Sequence, residues 1–328
     1  MKLVTFLHEE NHRAGVVTTD GERIVDLLAA AQHFAGEQPD MLTSTMAMLE
    51  AGEEAFDLAR DLTKESESDE DCKSIVSLDD ATLLSPVPRP GSIRDCLAFE
   101  RHLIQATRTI ASWKAPTLVS LDKGMERVFG RGFLRPPNVW YERPIYYKGN
   151  PNSVVGHGAD IQWPSFSKRL DFELEFGIFI GKEGRNIPAS KANEYIAGYS
   201  LFNDFSARDT QAEEMAGRLG PAKSKDFDTG NSIGPWLVTP DEVPDEITLR
   251  ARVNGEEWSC GSSSEMHFSF PEIIEYISRD ETLYPGDFIG SGTVPGGCGL
   301  ELDRWLQPGD IVELEAEPLG ILRNRVVQ

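Results

Sequence analysis

The stretch Arg169-Leu170-Asp171-Phe172-Glu173-Leu174-Glu175-Phe176-Gly177-Ile178-Phe179-Ile180 places two glutamates, one residue apart, in an otherwise apolar strand. Side chains alternate between the two faces of a strand, so Glu173 and Glu175 share one face and the aromatic and aliphatic residues share the other. Two neighbouring carboxylates in a core-like strand are costly unless a proton or a cation lies between them. The alternative is a strand with a solvated glutamate face. The apolar run that continues to Ile180 favours burial.

A third carboxylate follows in Asn203-Asp204-Phe205-Ser206-Ala207-Arg208-Asp209. Carboxylate oxygens without a nearby histidine or cysteine are the ligands preferred by Mg²⁺, Mn²⁺ or Ca²⁺ rather than by zinc. Arg208 and Gln211 are three residues apart, so on a helix they project to the same side. Arg208 could equally form an ion pair with Asp209 or Glu175. The segment therefore predicts a site for a hard divalent cation with basic residues beside it.

The composition excludes several classes of function. A formal net charge of −22 over 328 residues disfavours nucleic acids and anionic membranes as partners, because both require basic surfaces. The four cysteines are scattered, which indicates reduced thiols and a cytoplasmic protein. The apolar run at the start is too short for a signal peptide, and no stretch approaches the ~20 apolar residues of a membrane helix.

The sequence pattern of the first part of the chain predicts a small α+β unit. The pattern predicts strands at 2–7, 14–18 and 22–26 and helices at 27–35 and 40–62. The acidic run at 64–71 is typical of an exposed linker. We therefore predict a small N-terminal domain, 1–75, and a main domain, 76–328.

The remainder is rich in short strands with Gly and Pro turns, for example 249–253 and 311–315. Helices are predicted at 97–113, 190–196, 207–217 and 270–279. Strands and helices do not alternate regularly, so a parallel doubly wound sheet is not expected. The predicted fold class is α+β, mainly β.

Other residues capable of chemistry lie far apart in the sequence. Asp95 is a candidate helix N-cap, and His102 lies two helical turns further on. Lys225 lies in a loop of charged and small residues. The Gly-rich loop 290–299 could let backbone amides and the Thr293 hydroxyl approach an anion, and Glu301 follows it.

The order of these motifs resembles the fumarylacetoacetate hydrolase family, which also includes 2-hydroxyhepta-2,4-diene-1,7-dioate isomerases. The resemblance extends from about residue 90 to the C-terminus, and 203–211 is its most specific part. Tyr147-Lys148-Gly149 is similar to the segment that precedes the glutamate pair in these enzymes. The resemblance implies a catalytic domain of rolled, stacked β-sheets, a small N-terminal domain and a homodimer.

The resemblance also implies a role for each site residue. The metal ligands would be Asp95, Glu173, Glu175 and Asp204, holding Mg²⁺, Mn²⁺ or Ca²⁺. His102 would be the general base and Glu301 the carboxylate that orients water. Developing enolate charge would be stabilised by Arg208, Gln211 and Lys225, and Tyr147 and Thr293 would bind the substrate.

The implied substrate is a small β-diketo acid or 2-oxo acid. A base that activates water and a sink for the departing carbanion are both needed for C–C hydrolysis, and this set supplies both. We therefore predict a divalent-metal-dependent hydrolase that cleaves a C–C bond of an acylpyruvate. Decarboxylation or isomerisation of a 2-oxo acid such as oxaloacetate on the same site is the alternative. A non-catalytic 2-oxo acid binding protein is a third reading, although binding alone requires neither His102 nor Glu301.

Two positions depart from the animal-type pattern of this family. Leu97 and Met215 stand where tyrosines are expected to grip the substrate's acid groups, so fumarylacetoacetate itself is not the expected substrate. The segment 105–140 is longer than expected. Its basic residues suggest a lid that supplies a cation contact; they are Lys114, Lys123, Arg127, Arg131 and Arg135.

Overall fold

The computed structural model describes residues 1–69 and 71–328. The first strands are β1 (Lys2–His8), β2 (Asn11–Val17), β3 (Arg23–Asp26), β4 (Ile75–Ser77), β5 (Thr82–Leu83), β6 (Ile93–Cys96), β7 (Tyr146–Gly149), β8 (Val154–Val155), β9 (Asp160–Gln162) and β10 (Leu170–Asp171). The later strands are β11 (Leu174–Ile180), β12 (Gly184–Arg185), β13 (Ile196–Asp204), β14 (Ser206–Ala207), β15 (Asn231–Val238), β16 (Thr248–Val253), β17 (Glu256–Ser262), β18 (Thr282–Leu283), β19 (Phe288–Gly290), β20 (Ile311–Ala316) and β21 (Gly320–Val327).

The helices are fewer and mostly short. They are α1 (Leu27–Ala35), α2 (Thr45–Ala51), α3 (Glu53–Ser68), α4 (Glu100–Lys114), α5 (Pro116–Phe129), α6 (Asn138–Glu142), α7 (Arg208–Ala216), α8 (Phe270–Ile277) and α9 (Gly299–Leu302). Short 3₁₀ helices cover Asp40–Leu42, Pro151–Ser153, Ala189–Tyr195, Pro240–Glu242 and Ser263–Glu265. Within the parts of the chain that the structure describes, we find no helix with the length and apolar character needed to cross a membrane.

Two mixed sheets form the body of the protein. The large sheet has the order β4-β3-β2-β1-β15-β13-β11-β19-β6-β7, with β5 beside β1 and β8 beside β15. The second sheet has the order β17-β16-β20-β21-β9. Most pairs are antiparallel, but β6 runs parallel to β19, β8 to β15 and β9 to β21. These open, mixed sheets confirm the predicted α+β, mainly β class and the rolled, stacked arrangement.

The glutamate-bearing strand lies at the centre of this architecture. All seven residues of β11 are buried, and the strand pairs with β13 on one side and β19 on the other. The apolar side chains between the two sheets form one cluster, in which Ile178 and Leu201 of the large sheet join Leu249 and Leu314 of the second. The burial inferred from the apolar run is therefore confirmed.

The N-terminal strands continue the large sheet. Lys2 and Leu3 of β1 pair with Val238 and Leu237 of β15. A second apolar cluster joins side chains from α1–α3 to Phe179 and Phe288 of the large sheet. The division into domains 1–75 and 76–328 stays a prediction.

Several predicted elements have different bounds. The helix predicted over 40–62 is divided, since Gly52 has φ +71° and ends α2 before α3 begins. Because α3 extends to Ser68, part of the acidic run predicted as a linker is helical; Glu70 lies outside the described residues. The segment 190–196 is a 3₁₀ helix rather than an α-helix. Neither α5 nor α6 was predicted.

Phe179 packs where the N-terminal helices contact the large sheet, so its substitution tests how much this contact stabilises the fold. Its ring is fully buried and lies 4.9 Å from that of Phe288, centroid to centroid. We expect Phe179→Ala to lower the free energy of unfolding by about 3–5 kcal/mol, as large-to-small core substitutions of this kind do. Urea denaturation followed by circular dichroism measures this loss.

Phe129, which is 70% exposed on α5, provides a matched control. Phe129→Ala should change the free energy of unfolding by less than about 1 kcal/mol. Equal losses in the free energy of unfolding would show that the contact between Phe179 and Phe288 does not stabilise the fold.

Candidate metal centre and active site

Three of the four predicted metal ligands converge in the large sheet. Asp95 lies in β6, Glu175 lies in β11 and Asp204 ends β13. Each offers a carboxylate oxygen, these oxygens lie within 4.8 Å of one another, and all three residues are buried. We call these three residues the carboxylate cluster. The alternative role considered for Asp95, a helix N-cap, is wrong, because Asp95 lies in a strand and α4 begins only at Glu100.

A glycine makes room for this convergence. Gly290 of β19 lies between the ligand strands, pairing with Gly177 of β11 and with Asp95 of β6. A Cβ atom at position 290 would lie 2.4 Å from Asp95 Oδ1, closer than a real contact allows. Any larger residue at 290 would therefore displace the Asp95 carboxylate.

Electrostatics within the carboxylate cluster favour a bound cation. Burial, together with the charges of the neighbouring carboxylates, raises the pKa of Asp95 and Glu175 well above the usual range. Burial also raises the pKa of Asp204, to about 6, although Lys225 acts in the opposite direction. Groups that resist ionisation in this way are stabilised as carboxylates when a positive charge lies between them.

The donor atoms fit a hard divalent ion. Glu175 Oε2 and Asp204 Oδ1 are buried and have no hydrogen-bond partner among residues 1–69 and 71–328. A buried oxygen without a partner is costly, and coordination to a cation removes that cost. An all-oxygen set of this kind suits Mg²⁺, Mn²⁺ or Ca²⁺.

Glu173 occupies a different position from the other three predicted ligands. It precedes β11 and forms an isolated bridge with Cys298. Its Oε1 accepts a hydrogen bond from Arg208 Nη2 (2.7 Å), and its Oε2 accepts one from Lys225 Nζ. Burial opposes ionisation of Glu173, but Arg208 and Lys225 outweigh it and hold the pKa of this carboxyl below its usual range. Its role as a fourth ligand stays a prediction.

The predicted basic residues are both buried at the site. Lys225 also donates from Nζ to Asp204 Oδ2, so it bridges Glu173 and the carboxylate cluster. Arg208 begins α7, and its Nη1 donates to Gln211 Oε1 (2.8 Å), as the three-residue spacing predicted. The proposed partners Asp209 and Glu175 were wrong for Arg208, which instead pairs with Asp171 and Glu173.

Asp171 is a site residue that sequence analysis missed. It is fully buried and accepts hydrogen bonds from Arg208 Nε (2.8 Å) and from the backbone amides of Gly299 (2.7 Å) and Leu300 (2.9 Å) at the start of α9. The sequence contained a signal for it, since Asp171, Glu173 and Glu175 occupy every second position and alternate with apolar residues. Asp171 connects the basic residues of the site to the helix that carries Glu301.

The predicted base and its orienting carboxylate are in direct contact. His102 in the first turn of α4 and Glu301 in α9 are 199 residues apart, yet His102 Nδ1 lies 2.7 Å from Glu301 Oε1. Their side chains are 8% and 1% exposed. Gly296 N donates to the other oxygen of Glu301 (2.9 Å), which fixes that carboxylate from two sides. The bridge between Glu173 and Cys298 places this dyad beside the carboxylates.

Tyr147 and Thr293 contact the carboxylate cluster. The Tyr147 hydroxyl donates to Asp204 Oδ2 (2.7 Å), and the Thr293 hydroxyl donates to Glu175 Oε1 (3.1 Å). Burial and the charge of Asp204 raise the pKa of Tyr147 well above its usual range, so it stays a donor. Their role in substrate binding stays a prediction.

The segment 105–140 forms a helical pair, α4 and α5. Arg108 Nη2 joins the two helices by donating to Asp122 Oδ2 (2.6 Å). The five basic residues named for a lid are all exposed. A cation contact from this segment to the substrate stays a prediction.

Known proteins are similar to this chain in both sequence and architecture. The C-terminal domain of fumarylacetoacetate hydrolase matches residues 125–327, more than half of the chain. An oxaloacetate tautomerase of Bacillus subtilis, YisK, is 29% identical over 315 residues, which cover 94% of each chain. A human mitochondrial oxaloacetate tautomerase is 38% identical over 191 residues, 57% of this chain and 60% of the human protein.

Solved structures agree with this match. A fumarylacetoacetate hydrolase from Exiguobacterium antarcticum superimposes with a TM-score of 0.71 and 26% identity, covering 100% of this chain and 99% of that one. A maleylpyruvate hydrolase from Sphingobium has the same fold, with a TM-score of 0.69 and 21% identity over the whole of both chains. The chain belongs to the fumarylacetoacetate hydrolase family.

Proposed function

We propose that this protein is a divalent-cation-dependent enzyme that forms the enolate of a short 2-oxo acid and catalyses keto–enol tautomerisation of an oxaloacetate-type substrate. The observation that carries this proposal is the hydrogen-bonded pair His102–Glu301 beside the buried carboxylate cluster. Enolisation requires one base and one positive centre, and these two groups provide them. The resemblance to YisK over 94% of both chains supports tautomerisation in particular.

The proposed ligands are Asp95, Glu175 and Asp204, with Glu173 as the fourth. A divalent cation held there would supply a sink for negative charge on the enolate oxygen. The residues around it maintain that charge balance, since Lys225 and Arg208 bring two positive charges to four carboxylates. Arg208 also pairs with the buried Asp171, so carboxylates remain in excess at the site, which favours a bound cation.

His102 is the proposed general base. A carboxylate only accepts hydrogen bonds, so Glu301 selects the tautomer of His102 that carries its proton on Nδ1. Nε2 is then free to take a proton from the carbon beside the ketone, which gives the enolate, and to deliver that proton to the enolate oxygen, which gives the enol. Glu301 stabilises the imidazolium that forms between these two transfers.

The low solvent exposure of the site residues favours a small substrate. The exposed fractions of Asp95, Thr293 and Lys225 are 3%, 2% and 2%, and that of His102 is 6%. A four-carbon acid needs less space than a long diketo acid. Burial also excludes water, which favours proton transfer over attack by hydroxide.

C–C hydrolysis of an acylpyruvate, the reaction predicted from sequence, is the second candidate. The same His102–Glu301 pair could take a proton from water instead of carbon. The fumarylacetoacetate hydrolase of Exiguobacterium antarcticum, which aligns over 100% of this chain, supports this reading. The predicted homodimer and cytoplasmic location accompany both candidates as expectations.

The two candidate reactions can be distinguished by which substrates the enzyme converts. With Mg²⁺ present, we expect rapid loss of the ultraviolet absorbance of the enol form of oxaloacetate and no release of pyruvate from acetylpyruvate and longer acylpyruvates. Pyruvate formed from acylpyruvates at the higher rate would instead establish hydrolysis. Pyruvate formed from oxaloacetate would indicate decarboxylation, and no reaction with any of these acids would reject the enzymatic proposals together.

The dyad should control turnover rather than cation binding. We expect His102→Ala to lower kcat by about 10²–10⁴-fold, the usual contribution of a general base, with Mg²⁺ affinity nearly unchanged. Steady-state kinetics and calorimetric titration measure the two quantities. His33, which is exposed and pairs with Asp69, gives the control His33→Ala. Activity of His102→Ala close to that of the control would exclude His102 as the base.

Asp204 should control cation binding. Asp204→Asn removes one negative charge from the carboxylate cluster, and we expect Mn²⁺ affinity to fall at least ~10-fold, with activity lost in parallel. Titration of Mn²⁺ followed by electron paramagnetic resonance measures this loss. Asp228 is exposed on the nearby loop, so Asp228→Asn should bind Mn²⁺ as the unmodified protein does. Unchanged affinity in Asp204→Asn would place the cation elsewhere.

A further inference from the structure

A second group of potential metal ligands overlaps the proposed catalytic dyad. His102, Cys298 and Glu301 each offer a donor atom, and these atoms lie within 4.8 Å of one another. Cys298 Sγ lies 3.6 Å from Glu301 Oε1, which is also the oxygen 2.7 Å from His102 Nδ1. A nitrogen, a sulfur and an oxygen therefore surround one point. We call these three residues the thiol cluster.

The fold holds the thiol cluster together from three directions. Cys298 immediately precedes α9 and is fixed by its bridge to Glu173. Glu301 follows three residues later within α9, whose first amides are held by Asp171. His102 comes from α4, and Cys298 is fully buried. The donors are thus arranged before any ion arrives.

The chemistry of this set differs from that of the carboxylate cluster. Zn²⁺ takes histidine nitrogen, thiolate sulfur and carboxylate oxygen, whereas Mg²⁺ prefers oxygen donors in octahedral geometry. Zinc bonds of about 2.0–2.3 Å in a tetrahedron place donor atoms roughly 3.3–3.8 Å apart. The 3.6 Å between Cys298 Sγ and Glu301 Oε1 already matches this spacing, and the 2.7 Å between Nδ1 and Oε1 must lengthen slightly.

We propose that the thiol cluster is an inhibitory site for Zn²⁺ and similar thiophilic divalent cations, distinct from the carboxylate cluster. Binding would replace the hydrogen bond between His102 and Glu301 with two bonds to the ion. The thiol proton of Cys298 would pass to solvent, and coordination through Nδ1 would leave the histidine proton on Nε2. His102 would then no longer act as a base. The inhibition rests on the proposed function; the binding does not.

Inhibition is tested with the full-length protein in saturating Mg²⁺. We expect Zn²⁺ to inhibit the tautomerase reaction, and added Mg²⁺ not to relieve the inhibition. Cys298 takes no part in the proposed chemistry, so Cys298→Ala should retain activity and lose at least ~10-fold in sensitivity to Zn²⁺, since one ligand is gone. The control Cys260→Ala alters an exposed cysteine and should keep the original sensitivity. Zn²⁺ inhibition that Mg²⁺ relieves, or that persists unchanged in Cys298→Ala, would overturn the proposal.

Binding is tested separately with Co²⁺ as a spectroscopic substitute for Zn²⁺. Thiolate coordination to Co²⁺ gives a charge-transfer band in the near ultraviolet. We expect this band in the Mg²⁺-loaded protein and in Cys260→Ala, and its loss in Cys298→Ala. Absence of the band in the unmodified protein would overturn the thiol site. A normal band in a protein that does not tautomerise oxaloacetate would retain the site and reject only the proposed function.

Discussion

The mutual repulsion of buried carboxylates is the constraint on which this structure depends. Asp95, Glu175 and Asp204 converge from three strands with almost no access to solvent, and burial together with the neighbouring carboxylates raises the pKa of each carboxyl. Lys225 bridges Asp204 to Glu173 and offsets part of the repulsion. A sheet chosen only for stability would replace such a cluster with apolar side chains, since buried ion pairs seldom stabilise a fold. This cost supports the cluster as the proposed cation site, and a cation bound there would also stabilise the folded state.

A second network links this cluster to the residues proposed for proton transfer. Arg208 contacts Glu173 on one side and Asp171 on the other, and Asp171 holds the first amides of α9, which carries Glu301. The carboxylate Oε1 of Glu301 then contacts His102. Hydrogen bonds through Arg208 and Asp171, continued by the backbone of α9, thus connect Glu173 to the residues proposed for proton transfer. Loss of any member leaves a buried charge without its partner, which is more costly than the bond itself.

The sequence predicted the chemistry better than the long-range geometry. Glu175 and Asp204 were found because alternation and an apolar context are local signals, and Asp171 lay within reach of the same argument. The strand that holds Asp95 was not predicted, because its parallel pairing with Gly290 joins residues that are 195 positions apart. The partners of Arg208 were mistaken for the same reason, since Asp171 lies on a different element. The division at Gly52 needed a positive φ that a helical pattern does not reveal.

The two proposed reactions, tautomerisation and hydrolysis, would use the same dyad and would differ in whether water reaches it. Besides the bond between His102 and Glu301, the Thr109 hydroxyl donates to the Glu301 carbonyl (3.3 Å) and Trp113 Nε1 donates to Asp303 (3.3 Å). Three contacts along α4 therefore hold it against α9, so that the base and its carboxylate move as a unit. The same dyad is therefore compatible with either proposed reaction, and the source of the proton that reaches His102, a carbon acid or water, would distinguish them.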